Sequence, residues 1–194
     1  MIPVIELAKS LRYALGDMRG ENISDDELTE AINQAARQLY ERFSERYVYV
    51  AVKRIPSIII GTEEFPVYVL PSDFLRIHQV LGFTRSGIAV PIQPVSTSPP
   101  KCGTYRITGE TLYAPKGEYS VEYYYLPARV ETLGDNLDVP EAMRTWIEKT
   151  AIAVYKKDMA ACETIALHAE SVLAGREISH FEDIGPVQIL GGRV

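Results

Sequence analysis

The chain has 194 residues, of which 46% are hydrophobic and 24% charged, with a formal net charge of −6 and an isoelectric point near 5.2. This length suffices for one folded body with its own core, and the composition is that of a globular protein and excludes general disorder. Tight, sequence-tolerant binding of nucleic acid is disfavoured, because phosphate binding depends on clustered basic residues and the only short basic runs are Lys53-Arg54 and Lys156-Lys157.

The cysteine content and the N-terminus indicate where the chain works. Cys102 and Cys162 lie far apart in sequence and in different predicted elements, so we expect two free thiols in a reducing cytoplasm. No basic segment followed by an apolar stretch marks a secretory signal, and no apolar run is long enough to cross a bilayer.

The first predicted element is a short amphipathic helix. Pro3 suits its first turn and Gly16 is a natural end. Its apolar residues recur at helical spacing and line one face: Val4, Leu7, Ala8, Leu11 and Leu15.

The second helix carries the clearest start signal in the chain. Ser24 and Glu27 form a capping box, and Ile23 and Leu28 occupy the positions of a hydrophobic staple. A continuous apolar stripe follows: Leu28, Ala31, Ile32, Ala35, Leu39 and Phe43.

At Tyr47 the apolar period changes from about 3.6 to 2, which is the repeat of a β-strand. The strands predicted from this pattern are residues 47–54, 65–70, 77–83, 89–93, 105–108, 111–114 and 119–126. Gly109-Glu110 is predicted to be a two-residue hairpin turn, and the Ser/Thr/Pro-rich residues 94–100 an extended loop. Short strands separated by such turns indicate an antiparallel sheet or small sandwich.

Helical periodicity returns after Asp138, which is predicted to cap a helix with Glu141 at its third position. Its apolar face is Met143, Trp146, Ile147, Thr150, Val154 and Tyr155, and that of the following run is Cys162, Ile165, Ala166, Ala169, Val172 and Leu173. Asp158 either starts a separate helix or lies within one long helix, and Gly175 stands where a helix would end. The predicted fold is α+β, with residues 1–46 and 138–176 forming a helical bundle around an antiparallel β insert at residues 47–137.

The predicted C-terminal arm, residues 177–194, loses periodicity and is predicted to be extended. It is too apolar for a disordered tail, so we expect it to lie against the chain's own body, a neighbouring copy or a partner. Its candidate docking residues are Phe181, Ile184, Val187, Ile189 and Leu190.

The sequence offers little that indicates catalysis. The three histidines, at positions 78, 168 and 180, have no second ligand at metal-binding spacing, and no Gly-rich phosphate loop opens a helix. Two carboxylate pairs, Glu63-Glu64 and Glu118 with Glu122, are read as solvated edges, since acid–base catalysis needs an apolar pocket around one carboxyl. We therefore predict no enzyme activity, no cofactor and no metal.

Tyrosine is unusually frequent, with 12 residues, many of them in the predicted insert. Packing within the sheet is the more common role for strand tyrosines, and protein interfaces are the next. The candidate interface residues are Tyr105, Tyr113 and Tyr124.

Four phrases in a fixed order carry a family resemblance: Ile-Ser-Asp-Asp-Glu-Leu at 23–28 with Ala-Ile-Asn-Gln-Ala at 31–35, Leu-Pro-Ser-Asp-Phe-Leu-Arg at 70–76, Val-Glu-Tyr-Tyr-Tyr-Leu-Pro at 121–127 and Leu-Asp-Val-Pro-Glu at 137–141. With them the chain resembles the head–tail adaptor proteins of tailed bacteriophages, also called connector or neck proteins, over residues 4–176.

The resemblance implies a structural role in the virion neck, after assembly in the bacterial cytoplasm. Such proteins bind beneath the portal as a ring, typically of twelve copies, extend the DNA channel, and create the docking site for the tail or a second neck protein. It also implies that the bundle forms the ring wall and that the arm docks on the portal or a neighbour. Twelve copies with a net charge of −6 each would total about −72. This negative charge disfavours adhesion of the DNA, which passes through the channel without sequence-specific binding.

Two other function classes stay open on the sequence. One is a virion-associated glycosidase using Glu118 and Glu122, and the other is a tyrosine-rich β module that binds carbohydrate or protein.

Overall fold

The computed structural model describes residues 1–61, 67–96 and 99–183, with side chains through residue 174. In these ranges the chain folds into four α-helices and ten β-strands, and every sheet pairing but one is antiparallel. The predicted α+β class is confirmed.

The two N-terminal helices form as predicted. Helix α1 spans Val4–Leu15, follows the two-residue strand β1 (Ile2–Pro3), and ends at Gly16, whose φ of 78° is the left-handed conformation that glycine adopts readily. Helix α2 spans Asp25–Glu45. At its start the Glu27 backbone N–H donates to Ser24 Oγ at 3.2 Å, and the Ser24 N–H donates to Glu27 Oε2 at 2.9 Å. The predicted apolar stripe of α2 is fully or almost fully buried.

The strand predicted at residues 47–54 is wrong in its position. Tyr47 has a φ of 60°, which a strand residue cannot adopt, and Tyr49–Ala51 form a short 3₁₀ turn. Strand β2 begins only afterwards and spans Val52–Ile60. From this turn the partly exposed rings of Tyr47 and Tyr49 contact those of Tyr124 and His78, at 6.4 Å and 5.7 Å between centroids. Alternation in the sequence does not distinguish such a turn from a strand.

The remaining strands lie within three residues of the predicted bounds or are short additions. They are β3 (Val67–Val69), β4 (Phe74–Phe83), β5 (Ala89–Pro91), β6 (Gln93–Pro94), β7 (Thr104–Thr108), β8 (Thr111–Tyr113), β9 (Gly117–Tyr125) and β10 (Asn136–Leu137). The predicted hairpin turn at Gly109-Glu110 joins β7 to β8, as expected. The predicted loop 94–100 begins inside β6, which pairs in parallel with β7.

The strands form two four-stranded sheets, ordered β2-β9-β4-β5 and β3-β8-β7-β6, while β1 pairs with β10. Strand β9 lies in the middle of the first sheet, between β2 and β4. Its C-terminal end, where Tyr125 pairs with Phe74, is next to α2. Its N-terminal end, the β4–β5 turn and the end of β2 lie together away from the helices.

The C-terminal helices correct one prediction and decide between two alternatives that the sequence left open. Asp138 does not cap a helix: a 3₁₀ turn at Glu141–Met143 comes first, and α3 spans Arg144–Tyr155. Asp158 does start a separate helix, because its Oδ1 accepts from the Ala161 N–H at 2.9 Å, and α4 spans Met159–Asp183.

Gly175 therefore lies inside α4, so the helix end predicted there is wrong, and residues 177–183 are helical where an extended arm was predicted. A glycine in a helix costs only about 1 kcal/mol relative to alanine. The next strong helix breakers in the sequence are Gly185 and Pro186, just after the end of α4.

Helices α2 and α3 form the centre of the bundle. Both α1 and α4 pack on this pair, whereas α1 and α4 make no extensive contact with each other, so they lie on different flanks. The buried side chains form one continuous core that runs from the bundle into the insert. Tyr40 of α2 and Tyr125 of β9 join the two parts, with ring centroids 5.0 Å apart.

Candidate assembly surfaces

The predicted tyrosine interface is largely a packing arrangement. Tyr124 is fully buried, its ring centroid lies 5.4 Å from that of His78, and its hydroxyl is 3.1 Å from His78 Nδ1. Tyr105 is 8% exposed, and Tyr113 is half-buried beneath the Arg106 guanidinium, 4.6 Å from the ring centroid. Since Arg106 is the cross-strand partner of Tyr113, Tyr105 lies on the opposite face of that sheet.

The three candidate tyrosines thus share no exposed face. The burial of Tyr105 and Tyr124 favours the packing interpretation, and an interface role stays a prediction, with Tyr113 having the most surface for it.

A cleft of about 660 Å³ lies between β4 and the strands of the second sheet. Its lining is Phe74, Leu75, Arg76, Ile77, Pro94, Val95, Ser96, Tyr105, Ile107 and Gly109. No carboxylate is part of that lining, and its one cation, Arg76, lies over the Tyr47 ring at 4.5 Å. Among the described residues, the cleft therefore offers neither of the two acids that hydrolysis of a glycosidic bond needs.

The carboxylate pair considered for catalysis is occupied by sheet contacts. Glu118 accepts from Ser57 Oγ at 2.8 Å, and Glu122 lies 3.9 Å from Arg54 Nε. Glu63 and Glu64 lie outside the described residues. Neither Glu118 nor Glu122 lines any of the described clefts, so the geometry does not favour the glycosidase alternative.

The histidines and cysteines also pack locally. His168 contacts the Trp146 ring at 5.2 Å between centroids, and Cys162 is buried on α4 as predicted. Burial, followed by the nearby charge of Asp158, raises the pKa of the Cys162 thiol. Cys102 is exposed, and the side chain of His180 lies outside the described part. Among the described residues, no group of three His, Cys, Asp or Glu side chains could hold a metal ion.

A polar cluster that the sequence did not reveal joins the insert to the bundle. Lys53 of β2 donates to Asp73 Oδ2 at 2.8 Å and to Asp138 Oδ2 at 2.6 Å, and its ammonium lies 4.1 Å from the Tyr125 ring centroid. Desolvation lowers the pKa of Lys53, but the two carboxylates outweigh it, so the pKa is raised. Tyr123 donates to Asp73 Oδ1 at 3.1 Å, and burial together with that carboxylate raises the pKa of Tyr123 to about 12.

A second such cluster connects α1 to α2. Asp17 is 4% exposed and accepts from three backbone N–H groups, those of Glu21, Asn22 and Ile23, at 3.0–3.1 Å. It also pairs with Arg12 at 2.8 Å. Burial acts to raise the pKa of Asp17, and the backbone hydrogen bonds outweigh it, so the pKa lies below the usual range. The only sequence signal was the turn composition around Gly16 and Gly20.

Net charge is divided unevenly along the chain. Residues 47–137 contain eight basic and eight acidic residues, so the insert is neutral. The two helical ends contain 12 basic and 18 acidic residues and hold the entire excess of −6.

Exposed apolar side chains lie mainly on the outer helices of the bundle and on the insert. Those on or beside α1 and α4 are Met1, Ile5, Tyr13, Met18, Met159 and Leu167. Those of the insert and the turn leading into it are Tyr47, Tyr49, Ile59, Val67, Val69, Ile88 and Val90. Of the predicted arm residues, Phe181 lies in α4, and Ile184, Val187, Ile189 and Leu190 lie outside the described residues.

Helical ends around a β insert, with exposed apolar side chains on both parts, are the architecture expected of a structural assembly protein. A model of the SU10 adaptor protein family matches residues 3–170, and the chain belongs to this family of phage head–tail adaptors. The family resemblance is thereby confirmed, and with it a structural adaptor role in a tailed phage. No curated protein matches the chain. Within the described part, none of the helices has the length and apolar composition needed to cross a membrane.

Proposed function

We propose that this adaptor assembles as a ring, of twelve copies, beneath the portal protein of a tailed phage. The ring extends the DNA channel and gives the tail or a second neck protein its docking site. It is part of the virion neck and assembles in the host cytoplasm. Family membership supports the adaptor role. The observation that supports a DNA channel through the ring is the uneven division of net charge along the chain.

The helical ends hold the whole net charge of −6, so a ring wall made from them is acidic. Part of this charge is exposed at the start of α2, where Asp25, Asp26 and Glu27 follow one another. DNA that passes such a wall is repelled and does not adhere, because no basic cluster is available to displace its counterions. The neutral insert has no such repulsion and is suited to protein contacts on the tail side.

The C-terminal residues 177–194 supply the contact to the portal or a neighbouring subunit. Helix α4 ends at Asp183, and the eleven residues that follow it in sequence include Ile184, Val187, Ile189 and Leu190. An apolar segment at the end of a helix gains free energy by burying these side chains on a partner.

The experiment for the ring is to mix the purified chain with its purified portal and image the product by cryo-electron microscopy, with the mass measured in parallel. We expect one additional coaxial ring, with twelve copies per portal. A portal that stays unchanged at micromolar adaptor concentrations would contradict the proposal. A monomeric chain in the absence of portal would not contradict the proposal, because the proposed ring forms on the portal as its template.

The experiment for the arm compares two truncations. Ending the chain after Asp183 keeps the whole of α4 and removes only the apolar tail, whereas ending it after Arg176 also removes the last seven residues of the helix. We expect both to keep the fold, judged by circular dichroism and thermal unfolding, and both to lose most of their binding to the portal. If both variants are insoluble, the segment belongs to the subunit's own core.

A further inference from the structure

We infer that the outer face of α1 in one copy docks on the outer face of α4 in the next copy, and that this contact closes the ring. The inference deepens the proposed function and rests on it. Two stripes of side chains carry the contact: the α1 stripe, Ile5, Lys9 and Tyr13, and the α4 stripe, Met159, Glu163 and Leu167.

The two stripes lie on different flanks of the same subunit. Helices α1 and α4 both pack on α2 and α3 and make no extensive contact with each other. A ring requires this arrangement, because each subunit must present two different surfaces, one to each neighbour. One surface that paired with itself would stop assembly at a dimer.

The stripes match in spacing and in chemistry. In each, an apolar residue, a charged residue and a second apolar residue follow at intervals of four, which places them along one helix face over about 12 Å. The apolar members are exposed: Ile5 by 41%, Tyr13 by 74%, Met159 by 65% and Leu167 by 50%.

The charges at the centres of the stripes are opposite. Lys9 is exposed and makes no salt bridge with any described residue. Glu163 is 60% exposed and shares the single cation of Arg42 with Glu170, at 2.7 Å and 3.4 Å. Within this group of three, two carboxylates and one guanidinium leave one negative charge beside the centre of the α4 stripe, which Lys9 of a neighbour neutralises.

The α4 stripe also borders a groove of about 250 Å³ between α2 and α4. Its lining is mixed: Leu39, Met159, Cys162 and Ala166 are apolar, Gln38 and the buried Thr150 are polar, and Arg42 and Glu163 are charged. The most exposed large side chain of the α1 stripe, Tyr13, has an apolar ring and a polar hydroxyl, and it suits a groove that offers both apolar and polar lining groups.

Each stripe is much smaller than the roughly 800 Å² per partner of a stable pairwise interface. The lateral contact on its own is therefore weak. It becomes effective when the portal holds neighbouring copies at a high local concentration, since the second contact is then intramolecular.

The test is a charge exchange measured on the portal. Lys9→Glu and Glu163→Lys are each expected to lower the affinity of the chain for the portal by about tenfold, and the double variant to recover to near the wild-type value. Lys149→Glu is the matched control, because it reverses the same charge on an exposed position of α3, and it is expected to assemble like the wild type. Thermal unfolding of each variant tests whether its fold is intact. If Glu163→Lys is unstable, Glu163→Gln replaces it, because glutamine puts no cation beside Arg42.

The outcomes separate the two proposals. If the wild type forms no ring on the portal, the proposed function itself fails. If the wild-type ring forms and the single charge reversals assemble normally, or Lys149→Glu is as defective as Lys9→Glu, only the pairing of α1 with α4 is overturned.

Cross-linking provides an independent measurement that does not depend on charge. In a background with the exposed Cys102 changed to serine, Ile5→Cys combined with either Met159→Cys or Leu167→Cys should yield oxidised oligomers on the portal in at least one pairing. Which pairing reacts gives the relative direction of the two helices. Absence of oligomers from both pairings, in rings that form normally, would overturn the contact.

Discussion

The bundle and the insert both bury apolar surface, but they do so with different types of side chain. The core of the bundle consists mainly of aliphatic residues at helical spacing, such as Leu7, Leu28 and Leu39, which bring no polar atoms with them. The core of the insert is rich in tyrosines, and the hydroxyl of each deeply buried one must find a partner. The aliphatic core of the bundle can be predicted from the spacing of apolar residues in the sequence. The tyrosine-rich core of the insert cannot, because its hydrogen bonds join distant parts of the chain.

The largest expected effect is in the aliphatic core. Leu39→Ala in α2, where the side chain has no exposure, should lower the free energy of unfolding by about 2–5 kcal/mol, because it loses buried area and leaves a cavity. Urea denaturation followed by circular dichroism measures it. The exposed Gln34→Ala on the same helix is the control and should change stability by no more than about 0.5 kcal/mol. Equal effects would show that α2 is not held by its buried face.

Removal of one hydroxyl tests the tyrosine core. Tyr125 donates to the Asp138 carbonyl oxygen at 3.2 Å and its oxygen lies 3.2 Å from the Tyr40 hydroxyl, so Tyr125→Phe leaves the buried Tyr40 hydroxyl without that partner. The expected loss is about 1–3 kcal/mol in the same denaturation experiment. Tyr113→Phe, at a half-buried ring, should cost less than about 0.5 kcal/mol. If Tyr125→Phe is neutral, the hydroxyl network does not distinguish the insert from the bundle.

The junction between the two parts gives a smaller effect. Lys53→Met leaves Asp73 and Asp138 without their shared cation, and we expect a loss of about 1–2 kcal/mol, since the Lys53 side chain is still 34% exposed and the pair is partly screened. A raised lysine pKa contributes stability that is complete below the unfolded value of about 10.4 and is lost only as the pH rises through the folded pKa.

The deficit of Lys53→Met should therefore be constant between pH 6 and 9, measured by denaturation at each pH. Arg54→Met, on the neighbouring and more exposed position, should show a smaller loss. A deficit that disappears within this pH range would mean that another group is responsible.

The smallest expected effect lies within the bundle and depends on pH. Asp17→Asn keeps an oxygen that can accept backbone hydrogen bonds but removes the charge that faces Arg12. Because the pKa of Asp17 is lowered in the folded state, its charge stabilises the fold above the unfolded pKa of about 3.9, and this contribution is lost as the pH falls through the folded value.

Thermal unfolding should accordingly show Asp17→Asn to be less stable than the wild type at pH 7, with the difference shrinking below about pH 4. Asp26→Asn, an exposed carboxylate in the first turn of α2, is the control and should show little difference at either pH. A constant difference down to pH 2 would assign the effect to geometry and not to charge.

Much of this structure could be predicted from local patterns. The start of α2 at Ser24 and the end of α1 at Gly16 depend on hydrogen bonds between residues a few positions apart. The hairpin at Gly109-Glu110 is local in the same sense. The family could also be recognised, because its short sequence motifs are read directly from the order of residues.

Two of the errors occurred where contacts between distant residues decide the local structure. Asp138 accepts a hydrogen bond from Lys53, 85 positions away in sequence, and does not cap a helix. Residues 47–51 alternate like a strand, yet Tyr47 turns so that its ring packs on Tyr124, at 6.4 Å between centroids. Period and propensity describe neighbours along the chain, and such long-range pairs change the outcome without changing the pattern.

The sequence by itself determined the α+β class, the start of α2 at Ser24, the end of α1 at Gly16, the buried stripe of α2 and the acidic character of the helical ends. Each of these depends on composition or on spacing within a short segment. Only the tertiary structure decided which tyrosines are buried, which carboxylates share Lys53, and that the stripes of α1 and α4 lie on different flanks. The physical reason is that burial and charge pairing are properties of surfaces brought together by the fold, and no single segment contains both sides of such a contact.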